Sequence, residues 1–278
     1  MLEIGWFSTG RGPTSRRLLA AVQEEIASGR LNARIAVVFC NREHGEEANS
    51  DLFLELVQDC GLPLVCLSSA EFRRKRGGRV VRKGDRLPDW RRQYDDEVMR
   101  LLAPFSFEIG MLAGYMLIFS EEFSRHYDLL NLHPGAPGGP KGVWQDVVWE
   151  LIDRRAARGG AMIHLATPEL DEGPAVTYCT YGIRGQGLDR LWEQIAARPV
   201  AEIRLAEGEA NPLFSAIRRL GVEREVPLVI ETLRALTDGR LKVAGGVFDE
   251  AGQPAGARDL TEAIERAVES ANSAEAAL

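Results

Sequence analysis

The sequence predicts an α/β fold: a doubly wound, mostly parallel sheet with an antiparallel edge strand and helices toward the C-terminus. Three observations carry this expectation. Short apolar runs rich in Val, Ile and Phe recur at 2–8, 33–40, 62–68, 107–114, 129–133 and 160–166. Amphipathic stretches with the spacing of one helix face lie between them, among them 15–28 and 144–152. A longer alternating run, "GPAVTYCTYGI" at 173–183, fits a strand that pairs antiparallel at an edge.

Taken in chain order, "LEIGWFS" is the first strand, and "STGRGPTSRR" (8–17) is a glycine-bearing turn that leads into a helix carrying Leu18, Leu19, Val22 and Ile26. The free N–H groups and dipole of such a helix start favour a phosphate, with Arg11 and Ser15 as added contacts. The turn matches neither GxGxxG nor GxxxxGK[ST], and a plain tight turn with Ser15 as N-cap fits it equally well. Strands at 33–40 and 62–68 follow. The stretch "EFRRKRGGRVVRKGDR" (71–86) then reads as an exposed basic insertion, either a solvated mobile loop or a lid that steers an anionic substrate. A helix begins near Asp89, and the strand at 107–114 comes next.

In "DLLNLHPGAPGGPKG" (128–142) a buried strand ends in Asn131-Leu132-His133. Side chains alternate along a strand, so Asn131 and His133 share one side. Pro134 keeps His133 extended, and the Gly/Pro loop at 135–142 leaves room for a ligand beside the backbone. An Asn amide stabilises an oxyanion and a His moves a proton; a strand-end pair of this kind is equally often a turn-former and a satisfied core residue. The helix that follows carries Trp144, Val147, Val148, Leu151 and Ile152. "IHLATPELDEGPAV" (163–176) then supplies a strand His164 and an acidic loop, in which Glu169, Asp171 and Glu172 are equivalent candidates to orient His133. Helical patterns at 187–206, 225–238 and 259–271 close the chain. The expected organisation is a catalytic domain over 1–258, with the basic insertion at 71–88, and a helical tail over 259–278.

Composition narrows the function classes. At 278 residues, with 45% hydrophobic and 27% charged residues, the chain buries a real core. No apolar run has the length of a membrane span, and "MLEIGWFSTG" lacks the basic-then-apolar pattern of a secretory signal. Cys40, Cys60, Cys66 and Cys179 show no CxxC spacing and read as free thiols in a reducing compartment, so a cytoplasmic location is expected. A net charge of −7 argues against a nucleic-acid partner. Neither a membrane nor a nucleic acid is expected as partner, and the oligomeric state is expected to be monomer or homodimer.

Together these stretches resemble the folate-dependent formyltransferase family, nearest its phosphoribosylglycinamide branch. The resemblance runs in order through "TGRG", "LAGYMLIFSEEFSRHY" (112–127), the "NLHPG" motif, "HLATPELDEGP" (164–174) and "PLVIETLRALTDGRLKV" (227–243), about 240 residues in all. Its most specific part is Asn-x-His-Pro followed about thirty residues later by His and ELDxGP. The resemblance implies a Rossmann-like formyltransferase fold and a catalytic set of Asn131, His133 and Asp171. It also implies a folate site along Met111, Leu112, Tyr115, Met116, Leu117, Ile118 and Phe119, with Thr167 beginning the loop that closes over the pterin. The formyl donor implied is 10-formyltetrahydrofolate as co-substrate, and no metal. The acceptor implied is the primary amine of a phosphorylated small molecule, glycinamide ribonucleotide of purine biosynthesis first, held by Gly10, Arg11, Gly12, Ser15 and Arg91, with Glu223 or Glu225 on the ribose.

The alternatives are a 10-formyltetrahydrofolate hydrolase, a sugar-nucleotide amine formyltransferase and, outside catalysis, a folate or nucleotide sensor. Two departures bear on the acceptor. Arg11 stands where the family turn has Asn, and Gly135-Ala136-Pro137-Gly138-Gly139-Pro140-Lys141 stands where most relatives continue Ser-Leu-Leu-Pro.

Overall fold

The apolar runs form strands because Val, Ile and Phe suit a pleated surface buried on both faces. The computed structural model describes residues 1–80, 86–167, 172–185 and 187–276. It divides into two units, Met1–Asn131 with Leu165–Pro174 and Leu233–Ala255, and Leu132–His164 with Ala175–Thr232 and Gly256–Leu278.

The first unit contains β1 (Leu2–Ser8), α1 (Pro13–Ala27), β2 (Ala33–Cys40), α2 (Ala48–Asp59) and β3 (Leu64–Cys66). It continues through α3 (Ser69–Lys75), α4 (Asp89–Leu102), β4 (Ile109–Leu112), α5 (Glu121–His126) and the first three residues of β5 (Leu129–His133). Its strands run in the order β5-β4-β1-β2-β3, and every neighbouring pair is parallel. The chain first winds from β1 to β3 on one side, then returns through β4 and β5 on the other. The β1/β4 pair is therefore the topological switch point, beyond whose carboxyl ends α/β folds bind ligands. Phe7, Phe39, Tyr94, Leu112, Tyr115, Phe119 and Phe123 belong to the buried core of this unit.

The second unit contains the end of β5, α6 (Trp144–Asp153), β6 (Arg158–Leu165), β7 (Ala175–Gly182), α7 (Leu188–Ile195) and α8 (Val200–Glu207). Most of α9 (Pro212–Thr237) belongs to it, followed by the two-residue β10 (Arg258–Asp259) and α10 (Thr261–Ala276), while the hairpin β8 (Leu241–Val243) and β9 (Val247–Asp249) belongs to the first. Its core gathers α6, Trp192 of α7 and Phe214 and Ile217 of α9.

Three expectations are corrected. β7 pairs antiparallel with β6 as expected, but it is not the last strand, because β10 pairs parallel with its outer side. The helix expected at 225–238 begins at Pro212, so Pro227 stands inside it. The start of the basic stretch is ordered: Ser68 caps α3, its hydroxyl accepting from Glu71 N–H at 3.0 Å, and Arg and Lys are good helix formers. The chain then lies against α4. The Trp90 indole donates to the Arg79 carbonyl at 3.0 Å, and a Cβ at Gly78 would fall 2.4 Å from Trp90, a contact that only glycine permits.

Candidate active site

The turns after β1 and β4, at the switch point, are bonded to each other. Thr9 N–H donates to the Gly114 carbonyl at 3.1 Å, and Met116 N–H donates to the Thr9 hydroxyl at 3.0 Å. The Ser8 hydroxyl donates to the Ala113 carbonyl at 2.8 Å and accepts from Gly10 N–H at 3.1 Å. Gly10 adopts φ +69° above the Phe53 side chain, and Gly114 adopts φ +76° with the Ser15 hydroxyl 2.8 Å from the place of a Cβ. Both positions combine left-handed backbone with contact, which glycine alone meets without strain. Gly12, not Ser15, is the N-cap of α1, and no side chain caps the helix. Pro13 follows at the first helical position, which needs no donor, and no atom lies within 4 Å of a Cβ at Gly12. The result is a helix start with uncapped N–H groups, exposed Arg11 beside it and buried Ser15 in its first turn.

Arg91, expected on the acceptor's phosphate, is a buried residue of α4. Its side chain is 1% exposed, donates to Asp95 Oδ1 at 2.8 Å and to the Ile118 carbonyl at 2.7 Å, and lies over the Trp90 and Tyr94 rings. Asp95 Oδ2 accepts from Ser120 N–H at 2.6 Å. The pair thus grips the backbone at 118–120. Burial pushes the Asp95 carboxyl above its ordinary value, opposed by the Arg91 charge and the Ser120 bond.

The same turn carries the residues expected along the folate. Met111, Leu112, Tyr115 and Phe119 point into the core, and Tyr115 stacks on Phe119 at 4.8 Å with an interplanar angle of 5°. The reason is geometric. β4 is buried on both faces, and the turn that follows folds its aromatic rings back beneath it. Met116 is half exposed, Leu117 and Ile118 partly so, and these side chains and the turn backbone are what a ligand can reach. Thr167 is half-buried just before Asp171, which lies outside the described residues. The loop closes tightly after it: Leu165 N–H donates to the Pro174 carbonyl at 2.9 Å, and a Cβ at Gly173 would lie 1.7 Å from the Leu165 oxygen.

On β5, Asn131 is half-buried and His133 is 2% exposed. His133 Nε2 lies 2.9 Å from the Pro140 carbonyl oxygen. A carbonyl only accepts, so Nε2 carries the proton. His164 on β6 is also buried, and its ring lies edge-on to that of His133 at 6.2 Å. Two glycines of this loop serve the chain's own close approach: a Cβ at Gly135 would lie 2.7 Å from the Pro140 oxygen, and Gly139 N–H closes a turn onto the Ala136 carbonyl at 2.9 Å. On α9, Glu223 pairs with Arg219 and Arg224 at 3.8 Å, and Glu225 is buried against Arg218.

Sequence reasoning missed two features. The Arg91–Asp95 pair was signalled by its i, i+4 spacing, and the Pro140 carbonyl, being backbone, had no sequence signal at all. Among the described residues, no cluster of three or more His, Cys, Asp or Glu is arranged to hold a metal, and no helix is long and apolar enough to cross a membrane.

Comparison with known proteins supplies the family. The phosphoribosylglycinamide formyltransferase of Escherichia coli (strain K12) is 26% identical over 161 residues, 57% of this chain and 64% of that protein. The match thus spans less than two thirds of that relative's length. Among solved structures, glycinamide ribonucleotide transformylase 1 from Symbiobacterium toebii superposes with a TM-score of 0.60 at 19% identity, over 88% of this chain and 92% of that one. A formyltetrahydrofolate deformylase from Burkholderia mallei reaches 0.58 at 17% identity, over 87% and 67%. At such identities the likeness concerns the fold. The formyl transferase family model matches residues 9–184, well over half of the chain and the whole stretch from the glycine turn through β7, and the chain belongs to that family.

Proposed function

We propose that this protein transfers the formyl group of 10-formyltetrahydrofolate to the primary amine of a phosphorylated small molecule, with glycinamide ribonucleotide as the first candidate. The observation that carries the reading is the polar end of β5, where Asn131 and His133 lie two residues apart beside a loop whose Gly135 and Pro140 are buried, in a chain whose family transfers formyl groups. The uncapped start of α1 supports a phosphate on the acceptor.

The chemistry follows from these groups. The amine nitrogen attacks the formyl carbon, and the carbonyl oxygen becomes an oxyanion. The Asn131 amide and the protonated His133 ring donate to that oxygen, a contact stronger in the transition state than in the ground state. Asp171, acting through water, guides the amine proton to the folate nitrogen as the carbon–nitrogen bond to folate breaks. The products are a formamide and tetrahydrofolate. Most of the acceleration then comes from holding amine and donor together in a site already polarised for the intermediate. The turn at 114–118, with Met116, Leu117 and Ile118, supports the pterin through backbone and partly exposed side chains.

Water as acceptor is the second reading, favoured by the fold shared with the deformylase and by the altered loop at 135–141. Incubation with 10-formyltetrahydrofolate and a panel of amines, following folate release by absorbance, separates the two. Release that requires a phosphorylated amine supports the transferase; release at the same rate without any amine supports the hydrolase. Binding of folate without release in any mixture would leave a sensor.

A further inference from the structure

The stretch after β4, residues 113–120, is neither helix nor strand, so its backbone groups depend on bonds to other elements. Its upstream end is held by the turn after β1, through the Gly114 carbonyl and Met116 N–H. Its downstream end is held by side chains of α4. Arg91 Nη2 donates to the Ile118 carbonyl at 2.7 Å, and Asp95 Oδ2 accepts from Ser120 N–H at 2.6 Å. We infer that the buried Arg91–Asp95 pair is a positioning device for the folate: it fixes the downstream end of this turn and so keeps the backbone between the two anchors in the shape that receives the pterin. The inference rests on the reading above that gives the turn at 114–118 to the pterin.

Between the anchors, the N–H groups of Leu117 and Ile118 and the carbonyls of Met116 and Leu117 make no hydrogen bond among the described residues. Met116 is exposed, and Leu117 and Ile118 are partly so. Backbone groups of this kind serve a flat heterocycle best when they are already in place, because any ordering needed on binding is subtracted from affinity. A turn without regular structure gains that rigidity only from what grips its ends.

The pair is suited to direction more than to packing. An apolar pair of similar volume would fill the same space with little or no loss of stability. It could not bond a carbonyl and an N–H two residues apart. Arg91 and Asp95 stand four residues apart on one helix face with Nη2 2.8 Å from Oδ1, so each fixes the other's side chain as both hold the turn. Their neighbours on α4 hold backbone too. Trp90 Nε1 donates to the Arg79 carbonyl at 3.0 Å, and the Tyr94 hydroxyl donates to the Leu67 carbonyl at 2.6 Å. One stretch of helix thus anchors the chain after β3, after α3 and after β4, and of these four residues Arg91 and Asp95 hold the last. Both are positioning residues in this account, acting on the folate through the backbone at 118–120.

Titration calorimetry with tetrahydrofolate and steady-state kinetics on the full-length protein test it in Arg91→Lys, Asp95→Asn and Tyr94→Phe. The first two are expected to weaken tetrahydrofolate binding and raise KM for 10-formyltetrahydrofolate about tenfold, with KM for the amine changed less than about twofold. Tyr94→Phe, which releases the Leu67 carbonyl instead, is expected to lower the melting temperature and leave tetrahydrofolate binding within about twofold of wild type. Folded Arg91→Lys and Asp95→Asn that bind tetrahydrofolate as wild type does overturn the inference. So does equal weakening in Tyr94→Phe, the mark of a general loosening of α4, and so does a rise in KM for the amine alone, which would put Arg91 on the phosphate. If neither variant folds, amide hydrogen exchange of the wild type decides. Ser120 N–H is expected to be protected without ligand and those of Leu117 and Ile118 only with tetrahydrofolate; Ser120 exchanging as fast as Leu117 in the free protein overturns the inference. A wild type that binds no tetrahydrofolate defeats the reading of the turn and the inference with it, whereas unchanged binding in the variants defeats the inference alone.

Discussion

Arg91 and Asp95 form an ion pair one helical turn apart on α4, with Nη2 2.8 Å from Oδ1 and side-chain exposures of 1% and 0%. Each partner also holds the backbone that follows β4, Arg91 through the Ile118 carbonyl and Asp95 through Ser120 N–H. Removing one partner strands the other charge in the interior. Arg91→Leu is expected to cost about 3–5 kcal/mol in urea denaturation, and Arg91→Leu with Asp95→Leu less than the sum of the single changes. An additive double mutant would mean that the two charges do not interact.

The pH dependence of stability follows from Asp95. Burial raises its carboxyl in the folded protein above the ordinary 3.8. Between that value and the raised one, the folded state holds more protons than the unfolded state, so the slope of unfolding free energy against pH is negative. The contribution is therefore fully present below 3.8 and is lost as pH rises through the folded value. Asp95→Asn, compared with wild type in urea titrations across the acid range, is expected to remove this falling component and leave the rest of the profile in place.

His133→Ala and Asp171→Asn are each expected to lower kcat for formyl transfer by about two to four orders of magnitude, the range of general acid–base and oxyanion contributions. Far-UV circular dichroism and the melting temperature check that the fold persists. Near-normal turnover in either variant contradicts the roles proposed for them.

Gly173 closes the loop that carries Asp171, and no side chain fits there: a Cβ would sit 1.7 Å from the Leu165 carbonyl oxygen. Gly173→Ala forces the backbone apart and is expected to destabilise by about 3 kcal/mol or more, read as a lowered melting temperature. Gly256→Ala, where nothing lies within 4 Å, serves as the control with little change.

The thiols offer a test of packing. Burial pushes Cys40 and Cys179 up to about 12 and the partly exposed Cys66 up to about 11, and raises the partly exposed Cys60 as well. The thiolate is the reactive form, so alkylation of the native protein at a pH near 8 is expected to modify Cys60 first and the other three only on unfolding. Mass spectrometry of peptides after timed quenching reports the order.

Much of the fold was legible in the sequence because its strands are continuous apolar runs: the ranges 2–8, 33–40 and 129–133 are those of β1, β2 and β5. Elements with mixed signals were not. The charges of 69–75 concealed a helix, the pattern expected at 225–238 is only the second half of α9, and two-residue β10 is too short to carry a pattern. In the site, the motif identified which residues to consider, and chain geometry decided where they face. The stacking of Tyr115 on Phe119 in the core was not legible, since apolar side chains look alike in sequence whether they meet a ligand or one another. The burial of Arg91 against Asp95 was not legible, because its partner is distinguished only by spacing. The Pro140 oxygen belongs to the backbone, which every residue possesses, so no residue type announces it.

The central claim is that an amine, not water, receives the formyl group. The most direct measurement uses 10-formyltetrahydrofolate carrying 13C in the formyl carbon, incubated with the protein and glycinamide ribonucleotide or another phosphorylated amine, and follows the label by carbon NMR. The account predicts that the label moves to a formamide carbon bonded to the amine nitrogen, in step with tetrahydrofolate formation. Label appearing as free formate at the same rate with and without amine, or remaining on the folate in every mixture, would contradict it.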